Sequence, residues 1–423
     1  MRALRAASLL ALLGLVGACG NANNGETPMP PVEDASGEVG IDGSAGAAGT
    51  SNEAGVDASK DALPEGASGA GGTDSGPKPD VEEAGYDAPP EAAPDAKPKA
   101  GCITGTFNPY FGILHDHTSY SDGEKKPSDA FAWARDVAGL DILVVTDHLE
   151  QVMIPTRWSD CKNQADQANA PGTFLAACGY EYATFSTPPI STGHNNIFFN
   201  SSLMDPSKWD VQDVYDSLAG CSTCIGQYNH PGDDATMTWN DFALVPAAED
   251  KMRLFEFNGG GPVWDLFFQA LNNGWHVSPA LNQDNHSADW GTKNDHRSGY
   301  FMASLDRPSL WDAMKNRRSF ATWDKNASIR MMADQDCWMG SILSGYDSAE
   351  ISLEATDSDT GDGFTQIELF GSSKQLLGTV DCQSKTTCSG KVTINGAAAK
   401  FVIAKATQQD GDTLIGAPIW FNP

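Results

Sequence analysis

Short apolar runs in the middle of this chain end, one after another, at a histidine or an acidic residue. Residues 140–145 are almost entirely apolar, as in a strand that a parallel sheet buries on both faces, and they lead into Asp147 and His148. A helix is predicted before this run, from Pro127 to about Gly139. The same pattern recurs at 111–114, 173–178, 224–228, 252–255 and 277–281. Alternating strands and helices with polar strand ends predict a β/α barrel or an open α/β sheet.

Two of the strand ends carry paired ligand-type side chains. His115 and His117 lie two residues apart, so on an extended strand both imidazoles point to the same face. Asp284 and His286 have the same spacing. Imidazole and carboxylate groups together are ligands of divalent zinc, manganese and iron. Because several such groups follow strand ends, the sequence predicts a metal-centred active site.

The last quarter of the chain has a different pattern. From about residue 329, short alternating or apolar runs are separated by clusters of Gly, Asp and Ser. These runs lie at 351–355, 366–370, 391–394 and 400–404. They are typical of antiparallel strands joined by turns. We therefore predict a small all-β sandwich domain over residues 329–423, after a late helix at 311–316.

The N-terminal residues 1–18 have the form of a secretory signal. A basic start is followed by an apolar run at 6–16 and by small residues before Cys19. The segment 16–19 resembles the bacterial lipobox, which implies cleavage before Cys19 and lipid on its thiol, with stable anchoring in the membrane. An ordinary signal peptide with an incidental cysteine is the alternative. The lack of an aspartate after Cys19 favours the outer membrane, with export to the periplasm or cell surface.

Residues 19–100 are rich in Ala, Gly, Asp, Glu, Pro and Ser, with Tyr86 as their one aromatic residue. Such a segment cannot bury enough apolar surface to offset its chain entropy, so we predict a disordered acidic linker. The whole chain has 27 Lys and Arg against 56 Asp and Glu, a net charge of -29. This balance argues against nucleic acid as a partner. It still allows a small phosphorylated substrate, since bound cations reverse the local field.

The cysteines predict disulfides. Of nine cysteines, eight remain if Cys19 carries lipid, an even number for an oxidising compartment. Cys221 with Cys224, and Cys382 with Cys388, are plausible local pairs. The spacing of Cys221 and Cys224 also occurs in redox and zinc motifs, but no second pair lies at zinc-finger spacing and the flanking sequence is not thioredoxin-like.

The order of these motifs resembles the PHP (polymerase and histidinol phosphatase) family over about residues 110–290. Leu-His-Asp-His-Thr at 114–118, Ser-Asp-Gly at 121–123, Thr-Asp-His at 146–148, Asn-His-Pro at 229–231 and Asp-Asn-His at 284–286 carry the resemblance. Glu181 and His194 fall where that family places a bridging glutamate and a further histidine. Residues 318–322 and the strand-rich tail resemble its exported branch, which includes carbaryl-hydrolase-like proteins. Leu114 and Asn229 depart from the common pattern without removing a ligand.

The resemblance implies a distorted (β/α)7 barrel over residues 101–328, with two or three divalent ions (Zn, Mn or Fe) at the strand ends. Carried over position by position, the ligands are His115, His117, Glu181 and Asp284 for one ion, Glu181, His194 and His230 for a second, and Asp122, His148 and His286 for a third. Asp147 either orients a neighbour or donates a proton to the leaving group. Asp116 points away from the pair it separates and is predicted to be structural.

The expected activity follows from these ions. A metal-bound hydroxide attacking phosphorus in line would hydrolyse a phosphate mono- or diester of a small molecule. The same centre could cleave a carboxylic ester, amide or carbamate, as the resemblance to the carbaryl-hydrolase branch suggests. A non-catalytic, lipid-anchored surface binding module is the third alternative. Lys293, Arg297 and Arg318 are the candidate cations for binding the substrate.

Overall fold

A computed structural model describes residues 100–184, 193–205, 210–233, 237–258, 262–334, 336–346 and 348–422. The predicted signal peptide, Cys19 and nearly all of the predicted linker lie outside these residues. Among the helices that are described, none combines the length and the apolar character needed to span a membrane.

The secondary structure alternates strands with helices up to about residue 320 and is almost entirely β after that. The first half contains β1 (Asn108–Ile113), α1 (Pro127–Asp136), β2 (Ile142–Val145), α2 (Leu149–Val152), α3 (Arg157–Ala168), β3 (Leu175–Cys178), β4 (Tyr180–Thr184), β5 (Gly193–Phe198), α4 (Val211–Ala219), β6 (Ile225–Tyr228), α5 (Trp239–Phe242), β7 (Met252–Glu256), α6 (Val263–Asn272) and β8 (Ser278–Ala280). The second half contains β9 (Arg297–Met302), α7 (Arg307–Lys315), β10 (Ser319–Thr322), β11 (Ser328–Ala333), β12 (Cys337–Trp338), β13 (Ile342–Ser344), β14 (Ala349–Thr356), β15 (Phe364–Gly371), β16 (Leu376–Lys385), β17 (Thr387–Ile394), α8 (Gly396–Ala399), β18 (Phe401–Gln408), β19 (Thr413–Gly416) and β20 (Ile419–Asn422).

The predicted apolar runs form buried strands. Every residue of β2 is buried, and β1 and β3 flank it in parallel, which explains its lack of alternation. The helix predicted at 127–139 is confirmed as α1, which opens at Pro127 and packs Ala130, Phe131 and Ala134 inward. Proline suits the first turn because the amide that it lacks would have no partner there.

Two sheets surround the polar strand ends. In the first, β1, β2 and β3 run in parallel, and in the second β6, β7 and β8 do so, with β4 and β5 completing five strands. The sheets are joined where β1 ends: the amide of His117 donates to the carbonyl of Asn285, and that of Asp284 to the carbonyl of His115, both at 2.9 Å. A further bridge joins His148 to Glu181.

The strands thus do not form one continuous hydrogen-bonded sheet, as a regular barrel would. The fold is mixed α/β, and the seven-stranded barrel of the PHP type stays a prediction. What the described hydrogen bonds do show is that the carboxyl ends of β1, β2 and β8 meet beside β4. That meeting point positions the candidate site.

The C-terminal strands belong to two sheets, and the small sandwich stays a prediction. The predicted runs are found as β14 and β17, in a four-stranded sheet, and as β15 and β18, in an 11-stranded sheet. The 11-stranded sheet contains β1, β2 and β3 together with β18, β19 and β20, because β10 pairs with both β9 and β19. Without β19, β10 would present an unpaired edge. The sheet therefore continues across the expected boundary at residue 328.

Four disulfides confirm the prediction that the eight cysteines other than Cys19 form disulfide bonds. Cys221 bonds Cys224, and Cys382 bonds Cys388, as predicted from their spacing. The other bonds join Cys161 to Cys178 and Cys102 to Cys337. The last of these ties the start of the described chain to β12.

Candidate metal centre

The structure brings all nine predicted ligands into one cluster at the strand ends. Glu181, in β4, is its centre and is only 1% exposed. The carboxylate oxygens of Glu181 lie 3.0–3.4 Å from ring nitrogens of His115, His117, His148, His194 and His230. A carboxylate with imidazoles on both of its oxygens has the arrangement needed to bridge two cations.

Two aspartates complete the cluster. The Oδ1 atom of Asp284 lies 3.1 Å from Nε2 of His117 and 3.4 Å from Nε2 of His115. On the other side, Asp122 lies 3.3 Å from Nε2 of His286 and 3.5 Å from Nε2 of His148. The cluster therefore extends from Asp284 through Glu181 to Asp122.

Potential ligand atoms fall into overlapping groups whose members lie within 4.8 Å of one another. The groups are His115, His117 and Glu181; His115, His230 and Asp284; Glu181, His194 and His230; and His117, Asp122, His148 and His286. The second and third predicted ligand sets each appear within one group. His117 differs from the expectation because it lies in the group with Asp122 as well as in the one with Glu181.

The chemistry of these atoms fits divalent metal ions. The Nε2 atoms of His115 and His117, Nδ1 of His148 and Oδ1 of Asp284 are buried. Oppositely charged groups lie 3.1–3.4 Å from them, but none of these contacts has the geometry of a hydrogen bond in the described part of the chain. A buried polar atom without a partner costs about 1–3 kcal/mol. Coordination of a cation would satisfy a lone pair on each of them.

The pKa shifts in the cluster also fit the binding of positively charged ions. Burial disfavours a charge on His115, but the carboxylates of Glu256, Asp284 and Glu181 outweigh it and hold the pKa of His115 well above its ordinary value. Burial alone would raise the pKa of Glu181, yet the surrounding imidazoles hold it well below the usual range. The carboxylates thus attract positive charge into the cluster, and a metal ion would replace protons there.

Two ligands occupy unusual backbone conformations. Asp284 has a φ of 45° and His230 a φ of 33°, in the left-handed region that residues with a Cβ rarely adopt. Each follows a strand end, β8 and β6 respectively. Such strain persists only where surrounding contacts over-determine the conformation, and it is concentrated at functional sites.

Glu256, at the end of β7, was not identified as a site residue from the sequence. Its buried carboxylate lies 3.1 Å from Nδ1 of His115 and accepts from the amide of His230 at 2.7 Å and from Nδ2 of Asn282 at 2.8 Å. An acceptor at Nδ1 leaves Nε2 of His115 free to face the cluster, which is how outer contacts orient a ligand. The available signal was its position after an apolar run, like the predicted ligands.

Asn229 holds the central glutamate. Its Nδ2 donates to Oε1 of Glu181 at 2.9 Å and to Oδ1 of Asn196 at 3.0 Å. Asn229 is one of the residues that depart from the PHP pattern, and in the structure it fixes the position of Glu181.

Asp147 lies behind the cluster. It is 1% exposed and accepts hydrogen bonds from the amide and hydroxyl of Thr118, at 2.7 and 2.6 Å, and from the hydroxyl of Ser121 at 2.6 Å. Burial raises its pKa despite these bonds. These contacts hold the loop that leads to Asp122. The loop folds back closely at Gly123, where a Cβ would lie 2.7 Å from the carbonyl carbon of His117. This arrangement suits the orienting role better than the proton-donor role.

Asp116 is fully buried between the two histidines of the His-x-His segment. Its Oδ1 accepts from the amide of Asn285 at 3.0 Å, and burial raises its pKa to about 8. The bond ties the His-x-His segment to the segment after β8.

The candidate substrate-binding cations have different surroundings. Arg297 donates to the carbonyls of Gly291, Asn294 and His296, and Arg318 to Phe301 carbonyl and Asp312. Both are therefore engaged in holding the fold. Lys293 is exposed, and its Nζ lies 3.3 Å from the carbonyl of Gln283, next to Asp284.

Comparisons with known proteins give weak similarities only. No family model matches the chain, and no curated protein does. Among solved structures, a two-domain protein from Bacteroides vulgatus ATCC 8482 containing a predicted PHP-like metal-dependent phosphoesterase is 17% identical, with 74% of this chain and 94% of that chain covered and a TM-score of 0.41. An amidohydrolase from Chromobacterium violaceum is 14% identical, covers 43% of this chain and 89% of its own, and has a TM-score of 0.31.

A lesion-specific endonuclease from Pyrococcus furiosus is 13% identical, with 57% and 60% covered and a TM-score of 0.34. At these scores the similarities assign neither a family nor an activity to this chain. The proposals below rest on its own residues.

Replacing Glu256 by glutamine is expected to weaken metal binding about 10- to 100-fold, the usual effect of removing the partner of a metal-binding histidine. The amide keeps the shape of the side chain but removes the charge beside His115. Metal affinity measured by competition with a chromogenic chelator tests this. Glu249→Gln is the matched control, because Glu249 pairs with His276, 2.8 Å away and outside the described metal groups. Equal affinities in the two variants would contradict the role of Glu256.

Proposed function

We propose that this chain is an exported, lipid-anchored hydrolase of the PHP type that uses two or three divalent metal ions to cleave a phosphate mono- or diester. The observation that carries the proposal is the buried cluster around Glu181, in which Nε2 of His115 and His117 and Oδ1 of Asp284 have no hydrogen bond among the described residues. The motif order supports the family, and the mixture of imidazole and carboxylate suits Zn, Mn or Fe.

The ions would be held by the nine clustered side chains, namely His115, His117, Asp122, His148, Glu181, His194, His230, Asp284 and His286. Divalent ions at such a site activate water and offset the charge that develops on phosphoryl oxygens. The protein's part is to fix the geometry. Glu256 orients His115, Asn229 holds Glu181, and Asp147 fixes the loop that carries Asp122.

Lys293 would bind the phosphate. It is exposed, and it lies beside the segment that carries Asp284. An ammonium group at the rim would attract an anionic substrate that the acidic chain otherwise repels.

A second candidate, hydrolysis of a carboxylic ester, amide or carbamate, is favoured by the engagement of Arg297 and Arg318. Their guanidinium groups donate to protein acceptors, so neither offers the forked phosphate contact typical of arginine. A neutral substrate needs no such contact.

A substrate panel separates the two candidates. We expect the purified full-length protein, loaded with Mn or Zn, to hydrolyse aryl phosphate mono- or diesters and to be slow on aryl carbamates and esters. The release of the aryl alcohol measures both reactions with the same chromophore. Turnover of the carbamates alone would replace the phosphoesterase by the second candidate.

The membrane anchor has a separate test. Cys19→Ser is expected to release the protein from the membrane fraction, because the lipobox resemblance places the lipid on the Cys19 thiol. Activity in extracts should stay at the wild-type level, since Cys19 lies outside the described residues of the cluster. Immunoblots of pelleted membranes and soluble fractions report the change. A variant that remains in the pellet would refute the lipid anchor.

A further inference from the structure

Strand pairing brings three loops of the C-terminal region to the same place. Ser328 pairs with Thr356, so the loop at 323–327 lies beside the one that starts at Asp357. Phe364 pairs with Gln408, which places the end of that second loop beside the loop at 409–412. The amide of Trp323 donates to the carbonyl of Thr413 at 3.0 Å, which brings the third loop next to the first. We call the segments 323–327, 357–363 and 409–412 the aspartate loops.

The aspartate loops carry six carboxylates, namely Asp324, Asp357, Asp359, Asp362, Asp410 and Asp412. They lie close enough to repel one another. Burial, together with the carboxylates of Asp410 and Asp324, raises the pKa of Asp412 to about 6. Burial and the carboxylate of Asp410 raise the pKa of Asp362 to about 6 as well. Asp295 adds to the repulsion at Asp412.

Two cationic side chains offset only part of this charge. Nζ of Lys325 lies 3.9 Å from Oδ2 of Asp359, and the carboxylate of Asp324 interacts with Arg297. Lys325 is more than half exposed, so its pairing in water stabilises little. The six carboxylates thus keep an excess of negative charge.

A buried amide gives independent evidence for a ligand. Gln408 is 1% exposed, and its Nε2 donates to Oδ2 of Asp357 at 3.0 Å. Its Oε1, on the same amide carbon, therefore also lies at the aspartate loops, yet it has no hydrogen-bond donor in the described part of the chain. An amide oxygen buried without a donor in a group of carboxylates needs a cation rather than another acceptor.

Two more oxygens in the aspartate loops share this property. Oδ1 of Asp362 and Oδ1 of Asn326 are buried, and neither has a hydrogen-bond partner among the described residues. The Nδ2 atom of Asn326 lies 3.3 Å from Oδ1 of Asp359, which keeps this side chain in the group. Each of the three loops or its flanking strand thus offers an acceptor, and the loops contain no histidine or cysteine.

We propose that the aspartate loops bind a Ca²⁺ ion, at a site separate from the histidine-containing centre. Carboxylate and amide oxygens without imidazole or thiolate are the ligands of hard cations. Ca²⁺ accepts six to eight oxygens in a flexible geometry, which loops from three strand pairs can supply, whereas Mg²⁺ demands a near-ideal octahedron and keeps several waters. The ion would fasten the ends of β10, β14 and β18 to one another.

The test is Ca²⁺ binding by the full-length protein with its histidine centre already loaded with metal. Equilibrium dialysis with radioactive Ca²⁺, in the presence of excess Mg²⁺, measures the number of bound ions. We expect the double variant Asp362→Asn with Asp410→Asn to lose at least tenfold in Ca²⁺ affinity relative to the wild type. Asp381→Asn, an exposed aspartate of β16 outside the loops, is the matched control and should bind as the wild type does.

A further control separates the two metal sites. His117→Ala should leave Ca²⁺ binding unchanged, because His117 belongs to the other centre. Equal Ca²⁺ affinity in the wild type and the double variant would overturn the proposal. If the double variant does not fold, the wild type alone decides: its melting temperature should rise with Ca²⁺ in the presence of Mg²⁺, and no rise would overturn the proposal.

Discussion

Glu181→Gln is expected to lower turnover by about 10³-fold or more, equivalent to about 4 kcal/mol in transition-state stabilisation. Glu181 is the one carboxylate that lies within 3.0–3.4 Å of five imidazoles in the described structure, so its charge acts on every proposed ion. Glutamine keeps the volume but removes the negative charge and one of the two equivalent oxygens. Metal content should fall together with turnover.

The comparison variant is Glu249→Gln, which alters another carboxylate paired with a histidine. Glu249→Gln should retain both metal and activity. The circular dichroism spectra of Glu249→Gln and Glu181→Gln should both match that of the wild type, which shows that both variants are folded. A folded Glu181→Gln protein with wild-type turnover would show that the cluster is not the reaction site.

His117→Ala has the second-largest expected effect. The Nε2 atom of His117 lies 3.1 Å from Asp284 and 3.4 Å from Glu181, and its ring stacks on His286 with 4.1 Å between centroids. Because the residue belongs to two of the ligand groups, its loss should disturb two ions at once. We expect metal content to fall by at least one ion per chain and turnover to fall by about 10³-fold.

His276→Ala serves as the control for His117→Ala. His276 pairs with Glu249 and makes an edge-to-face contact with Trp420, and neither contact belongs to the groups described above. Elemental analysis and turnover measured on both variants distinguish loss of a ligand from general damage. Unchanged metal content in His117→Ala would remove this residue from the ligand set.

The positions of several candidate ligands could be predicted from local sequence, whereas Glu181 and His194 were assigned only through the family resemblance. His115 and His117 lie two residues apart just after β1 ends at Ile113, and His148 follows a fully buried strand. The contacts that orient these ligands could not be predicted in the same way. Glu256 reaches His115 from a strand 141 residues further along the chain, so only the register between strands makes them neighbours.

In the fold, too, local features such as helix starts could be predicted, whereas pairings between distant strands could not. Helix α1 was predicted from its first proline, while the late helix was predicted at 311–316 and is found at Arg307–Lys315. Its start was missed because Asp306, which accepts from the amide of Ser309, was not identified as the cap. The pairing of β10 with β19 joins segments far apart in sequence, and no local pattern marks it.

The most direct test of the proposed metal centre is the metal content of the purified wild-type protein, measured by inductively coupled plasma mass spectrometry after dialysis. The cluster around Glu181 predicts two or three ions of Zn, Mn or Fe per chain, falling by at least one in His117→Ala. Wild-type protein that contains no such metal and takes none up from solution would contradict the proposed metal centre and favour a non-catalytic binding module.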